Sequence, residues 1–205
     1  VFGYSNTQNE SELTDEHATL FYMIWVILYL LISIFLFSML VIITATIVYF
    51  LFSKNAPFVR TKKNTFERLT TTLQLDERSI LYEIGSGDAS FLKYAITRTP
   101  GAHGVGIEVH PVLTILAKFT TIFKPIRIFR NNYNEVSFAP ATHLYMYMLP
   151  SMLPDIYAKA QKECKRGTIF LSLDFEVFGV VPDDTISLTA NPRQVFSTVA
   201  YLYRL

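Results

Sequence analysis

Between Ala18 and Ser53 the chain carries no charged side chain, and the run from Leu20 to Phe52 is almost wholly apolar. As a helix that run would reach roughly 50 Å at ~1.5 Å per residue, against a hydrocarbon core of about 30 Å. Core helices of soluble domains rarely run so long without a charge. A signal peptide opens on basic residues and has a shorter apolar core, whereas here Glu10, Glu12, Asp15 and Glu16 come first. The run therefore reads as one transmembrane helix, tilted or with its end turns among the headgroups. Tyr22, Trp25 and Tyr49 fit interfacial anchors, while Tyr29 lies inside the run and departs from that pattern. All 18 Lys and Arg residues follow it, with Lys54, Arg60, Lys62, Lys63 and Arg68 nearest. Basic flanks stay on the cytoplasmic or equivalent side, so a single-pass chain with its first residues outside is expected.

This divides the chain into a short N-terminus (1–17), the span (18–53), a basic juxtamembrane segment with a helix over 64–74 (54–78), and one domain (79–205). The C-terminal part is only mildly basic, which suits anionic headgroups and gives no nucleic-acid footprint. The single Cys164 excludes an internal disulfide, and His17, His103, His110 and His143 lack the spacing of a zinc helix. No metal is expected.

From Pro57 onward, strand-like and helix-like segments alternate. Strands are expected at 80–85, 103–109, 126–130, 142–148 and 168–173. Helices are expected at 88–97, 112–122 and 152–165, and two strand-like runs (185–189, 196–204) close the chain without a helix between them. That order predicts a Rossmann-like α/β fold: a mostly parallel sheet with a C-terminal antiparallel hairpin at its edge.

The first strand ends in "LYEIGSGDAS", an acid followed by Gly-x-Gly and a second acid. Ligands of open parallel sheets sit beyond the carboxyl ends of the strands, where Gly85 and Gly87 let the backbone bend and a ligand approach its amides. A phosphate-binding loop of the Gly-Lys-Ser/Thr kind needs a lysine that is absent. A dinucleotide fingerprint needs Gly or Ala where Ser90 stands, and its pyrophosphate would be repelled by Glu83 and Asp88. S-adenosylmethionine suits the loop better: its ammonium can face Glu83 while its carboxylate meets loop amides. Glu108, closing the second strand in "GIEVHP", can accept both hydroxyls of a ribose. The competing reading is a structural loop with a solvated Glu108.

"EIGSGDAS" resembles motif I of the class I S-adenosylmethionine-dependent methyltransferases, and "GIEVHP" resembles their second-strand acid. The layout is most similar to the small membrane-anchored protein lysine methyltransferases and their prokaryotic relatives. In those, a hydrophobic helix precedes a "PFVPTP"-like segment, then "DLGSGDGR", "GYExNP" and a strand ending in "LYLLP". Here the counterparts are "PFVRTK" (57–62), "EIGSGDAS" (83–90), "GIEVHP" (106–111) and "YMYMLP" (145–150). The departures are Ala89 for the third glycine, Ser90 for an arginine, Arg60 and Lys62 for two prolines, and Asn132 where relatives often carry an acid facing the adenine.

The resemblance implies S-adenosyl-L-methionine as cofactor, with contacts from Thr61, Glu83, Gly85, Ser86, Gly87, Asp88, Glu108, Val109, Asn132 and Tyr133. Methyl transfer needs donor and acceptor held in line and away from water, so no Ser/His/Asp constellation is expected. Substrate-pocket candidates are Tyr147, Leu149 and Pro150 at the fourth strand end, with Tyr133 as a neighbour, and Asp174 and Phe175 at the fifth. Tyr147 also fits simple packing, and Asp174 a turn. The expected activity is methylation of a lysine on a protein in or near the same membrane, with the bilayer as a second partner and neither nucleic acid nor metal. The alternatives are an inactive membrane scaffold of methyltransferase fold, and an enzyme acting on a lipid or lipophilic small molecule.

Overall fold

A computed structural model describes residues 6–52, 60–191 and 193–205, with side-chain surroundings undescribed for 6–18 and 47–52. Pro57, Phe58 and Val59 of the pre-loop segment, and Lys54, lie outside the described residues, as does the side chain of Tyr49. The chain forms two compact units, Val1–Pro57 and Phe58–Leu205.

The first unit is the helix α1 (Asn6–Phe52), which starts before the apolar run and includes the acidic stretch. Its Thr19–Thr46 section has the length and composition to cross a membrane. Apolar side chains stand outward all round it, Phe21 and Phe37 among them. The hydroxyls of Ser38, Thr44 and Thr46 donate to carbonyls one turn back, so these polar groups are satisfied within the helix itself.

The second unit begins with a short 3₁₀ turn (Lys63–Thr65) and α2 (Phe66–Leu73). There follow β1 (Ile80–Ile84), α3 (Ser90–Arg98), β2 (His103–Ile107), α4 (Pro111–Thr121) and β3 (Ile126–Phe129). After these come β4 (His143–Met146), α5 (Leu153–Glu163), β5 (Ile169–Leu173), β6 (Asp184–Ser187) and β7 (Val199–Arg204). The seven strands run in the order β3-β2-β1-β4-β5-β7-β6. The first five are parallel, and β7 is antiparallel to both β5 and β6. The Rossmann-like expectation holds, with one refinement: the last strand slots between β5 and β6, so β6 forms the edge.

Two apolar layers hold the sheet. On one face Phe66, Leu69 and Leu73 of α2, Phe91, Leu92 and Ile96 of α3, and Ala117 of α4 pack together. On the other, Leu153, Ile156 and Ala160 of α5 pack on Leu144 and Phe170. Close approach of α3 and β3 to β2 depends on Gly104 and Gly106. A Cβ on Gly104 would lie 3.0 Å from Ile96 Cγ1 and from Ile126 Cγ1, and one on Gly106 would lie 2.7 Å from Ile128 Cδ1.

Nearly every element of this unit is shorter than expected, and three of them are trimmed for a reason visible at the strand tips. Helix α3 starts at Ser90 rather than 88 because Ala89 is left-handed, φ 56°. Strand β2 ends at Ile107, its last residue in register with β3, Glu108 keeping one further bond from its N to Phe129 O at 3.0 Å, and β4 ends at Met146 ahead of the Leu149–Pro150 turn.

Candidate cofactor site at the strand tips

Glu83 is the fourth residue of β1 and pairs in register with Gly106 of β2, which brings Glu108 to the same end of the sheet. Both acids are buried, Glu83 at 5% and Glu108 at 8% exposure. The glycine loop links them. Its Gly85 and Ser86 amides donate to the Ile107 carbonyl at 2.9 and 3.0 Å, and Gly87 donates to Glu108 Oε2 at 2.8 Å. The other Glu108 oxygen accepts from His110 N at 2.8 Å. Gly85, Gly87 and Ala89 all have positive φ, 71°, 56° and 56°. At Gly85 the need for glycine is double, since a Cβ would also lie 2.6 Å from Met148 Sδ.

The start of α3 is occupied by the protein's own acids. Leu92 N donates to Glu83 Oε2 at 3.1 Å and Ser90 N to Asp88 Oδ1 at 3.2 Å. The sequence reading reserved these loop and helix amides for a ligand carboxylate. In the fold the Gly85, Ser86, Gly87, Ser90 and Leu92 amides already serve carbonyl or carboxylate oxygens, because unpaired buried N–H groups are costly.

Beside the loop lies a narrow, partly open hollow lined by Thr61, Phe66, Glu83, Ser86, Asp88 and Tyr147 among others. Its one cationic lining residue is Arg60, half exposed and ion-paired with Asp88. Thr61 is buried, its hydroxyl 2.8 Å from that of Tyr145, which stacks on Phe91 at 4.4 Å between ring centroids. Burial raises the Glu83 carboxyl well above its usual range, the Asp88 and Glu108 charges push the same way, and the Leu92 amide offsets part of it. Two acids of the lining, Glu83 and Asp88, with Glu108 behind the loop, favour a cationic guest, which would in turn favour the ionised form of Glu83. Ser86 Oγ is buried without a hydrogen-bond partner at this loop, a polar atom that a bound ligand would satisfy.

The remaining candidates are more dispersed. Tyr133 and Met148 pack at the margin of the α5-side core, and Val109 is half-buried. Asn132 is exposed, its side-chain oxygen accepting from Asn134 N at 3.1 Å as the cap of a 3₁₀ turn. Leu149 and Pro150 are exposed just past β4. Tyr147 faces Phe175 at 6.3 Å and hydrogen-bonds Asp174; burial, then that carboxylate, pushes its hydroxyl pKa up.

Asp174 is left-handed, φ 62°, and its carboxylate accepts from Ser197 N (2.6 Å), Thr198 N (2.7 Å) and Val199 N (3.2 Å). Burial pushes its pKa up, but these amides and Tyr147 outweigh that and hold it below 3.8. Sequence reading did not assign Arg60, Phe66, Phe91 or Met148 to the site. The signal for Arg60 was present: it is a cation in the basic segment ahead of an acidic loop.

Comparison with known proteins agrees with this fold. Residues 83–184 match the model of the ANTKMT methyltransferase domain. A protein-lysine N-methyltransferase of Saccharolobus islandicus is 25% identical over 138 residues, covering 65% of this chain and 86% of its own. The crystal structure of an RNA methyltransferase from Salinibacter ruber, solved with S-adenosyl-L-homocysteine, superposes with a TM-score of 0.64 at 28% identity. It covers 71% of this chain and 93% of that one. A precorrin-6y C5,15-methyltransferase from Geobacter metallireducens shares the fold at TM-score 0.51 and 12% identity, over 72% of this chain and 91% of its own. The chain is a class I S-adenosylmethionine-dependent methyltransferase whose residues 83–184 match the ANTKMT methyltransferase domain.

Proposed function

We propose that the enzyme methylates a lysine side chain of a protein in or beside the membrane that holds α1. The observation that carries the cofactor half of this reading is the buried Glu83–loop–Glu108 arrangement with its unpartnered Ser86 hydroxyl. In it, Glu108 receives the ribose hydroxyls, with Val109 and Tyr133 beside the adenine and Asn132 at its edge. Glu83 faces the ammonium, Asp88 lies close by, and Gly85, Ser86, Gly87 and Thr61 form the walls. Because the loop amides are engaged within the fold, Arg60 is the residue that meets the carboxylate. Bound S-adenosylmethionine supplies a methyl group already activated on a sulfonium.

The chain's own task is then positioning and exclusion of water. Tyr147, Leu149 and Pro150 border the acceptor's approach, with Phe175 behind Tyr147. The Tyr147 hydroxyl stays a neutral phenol at physiological pH, so it can orient the acceptor nitrogen without binding it as a counter-ion. Asp174 acts by holding Tyr147 and the 197–199 turn. Lysine as acceptor is supported by likeness to the Saccharolobus enzyme. Membrane residence is supported by the charge-free Thr19–Thr46 helix, and the placement of Lys and Arg favours the catalytic unit on the cytoplasmic or equivalent side. Tethering to a membrane raises the effective concentration of substrates in the same bilayer.

The test is transfer of labelled methyl groups from S-adenosylmethionine to native membranes, sorted into protein, lipid and RNA fractions, beside a Glu108→Ala control. Label in protein, recovered as methyl-lysine after hydrolysis, is the expected result. Label confined to lipid or to RNA, the acceptor named for the Salinibacter relative, overturns the acceptor. A wild-type chain that neither binds the cofactor nor transfers label would be a scaffold.

A further inference from the structure

Helix α4 is inside out. The residues it turns to the core are Thr114, Ala117 and Thr121, small or hydroxylated. Its large apolar side chains point away: Ile115 is 69% exposed, Phe119 77%, Ile122 67% and Phe123, just past its end, 95%. A surface helix in water shows the opposite pattern, and a contiguous apolar patch of this kind marks a surface that is covered in use.

Charge around the patch says what covers it. From Pro111 to Arg130 there is no acidic residue, while Lys118, Lys124, Arg127 and Arg130 are present. Lys118 and Arg127 line the groove between α4 and β3 together with Ile122 and Phe129. Lys124, at the same end of α4, lines a second, open hollow with Lys63, Lys93, Arg98 and Tyr94, and among the described residues that lining holds no carboxylate. Two basic hollows thus meet at the turn bearing Ile122 and Phe123.

We propose that the outer face of α4 is a second membrane contact. Its apolar side chains enter the interfacial zone of a bilayer, and anionic headgroups settle against Lys118, Lys124 and the basic pocket beyond. Apolar residues on one side with cations at the flanks are the pattern of an interfacial helix. A folded RNA would be met by the cations but would leave the Phe119, Ile122 and Phe123 side chains in water. The inference goes beyond the α1 anchor and rests on different residues.

The test uses the full chain with Cys164→Ser and one new cysteine carrying an environment-sensitive dye, at Phe123→Cys or, as control, at Lys162→Cys on α5. Each chain is reconstituted in phosphatidylcholine vesicles with and without phosphatidylserine. The residue-123 dye is expected to shift to the blue, to be quenched by nitroxide-bearing lipid, and to be shielded several-fold from aqueous iodide, most strongly with phosphatidylserine. The control dye should stay open to iodide. Lys118→Glu with Lys124→Glu should remove the preference for phosphatidylserine.

Equal iodide access at both positions, in a chain shown by alkali extraction to be embedded, overturns the α4 contact and leaves the α1 anchor standing. Shielding at residue 123 without lipid quenching would mean a second copy or another protein covers the face, and shielding only on adding RNA would mean a nucleic acid does. Either result overturns the proposal. Cofactor binding and thermal melting of each variant, matched to the parent, show that the fold is retained.

Discussion

Glu108 accepts the Gly87 amide at 2.8 Å, so the acid that closes the second strand also fixes the loop that follows the first. Under the proposed cofactor role of Glu108, recognition and loop shape are coupled through one carboxylate. Its second oxygen holds His110 N, at the cap position of α4.

Replacing Glu108 with Ala therefore removes two things, the proposed acceptor of the ribose hydroxyls and the anchor of Gly87. S-adenosylmethionine affinity should fall by at least about tenfold, the equivalent of one charge-assisted hydrogen bond. Melting of the cofactor-free chain should fall as well. Glu108→Gln, which can still accept from one amide, should recover melting more than affinity. Calorimetry and a thermal melt separate the two; equal affinity in wild type and Ala variant would remove Glu108 from the site.

Glu83 makes the site pH-sensitive. Its folded pKa lies well above 4.5 because of burial, with Asp88 and Glu108 adding to the rise. The cofactor-free fold therefore holds this proton more tightly than the unfolded chain does. That contribution is full below about pH 4.5 and is lost as pH rises through the raised value. Glu83→Gln should flatten the loss. A cationic group beside Glu83 favours the ionised form, so cofactor binding should release a proton within this window and strengthen as pH rises. Titrations in buffers of different ionisation enthalpy measure that proton, and zero release would detach Glu83 from the ammonium.

Arg60 is ion-paired to Asp88 at the pocket edge. Arg60→Ala should weaken S-adenosylmethionine several-fold while leaving melting close to wild type, since a half-exposed pair adds little to stability. Arg60→Lys should recover part of the affinity. Raising salt should weaken binding to the wild type more than to the Ala variant. An unchanged dissociation constant at low salt would assign the carboxylate to another partner.

Asp174 is the test of a structural acid at a catalytic address. Loss of its three amide acceptances should cost about 2 kcal/mol, or ~4–8 °C of melting temperature, in Asp174→Ala. Its folded pKa is below 3.8, so the stability it adds is present above that value and is lost as pH falls through the folded one. Acid unfolding of wild type and Asp174→Asn should converge at low pH. Turnover per folded molecule should fall only several-fold, through the loosened Tyr147; a drop of several orders of magnitude would show that the carboxylate touches the reacting atoms.

The order of strands and helices was legible because each follows from nearby residues: an apolar run, a capping position, a glycine or proline at its end. Glu83, Gly85, Gly87 and Glu108 were legible for the same reason, since a strand tip and the turn after it are local features and the parallel fold brings adjacent tips together. Contacts between distant segments were not. Nothing local to 184–204 says that β7 enters between β5 and β6, nor that Asp174 spends its carboxylate on amides over twenty residues away. The loop amides looked available because only the folded chain brings Ile107 O and Glu108 to them. The apolar count of α4 could be read directly, but which side of it met the sheet was decided by packing: against β2 and β3 there was room for Thr114, Ala117 and Thr121, and the larger side chains were left facing out.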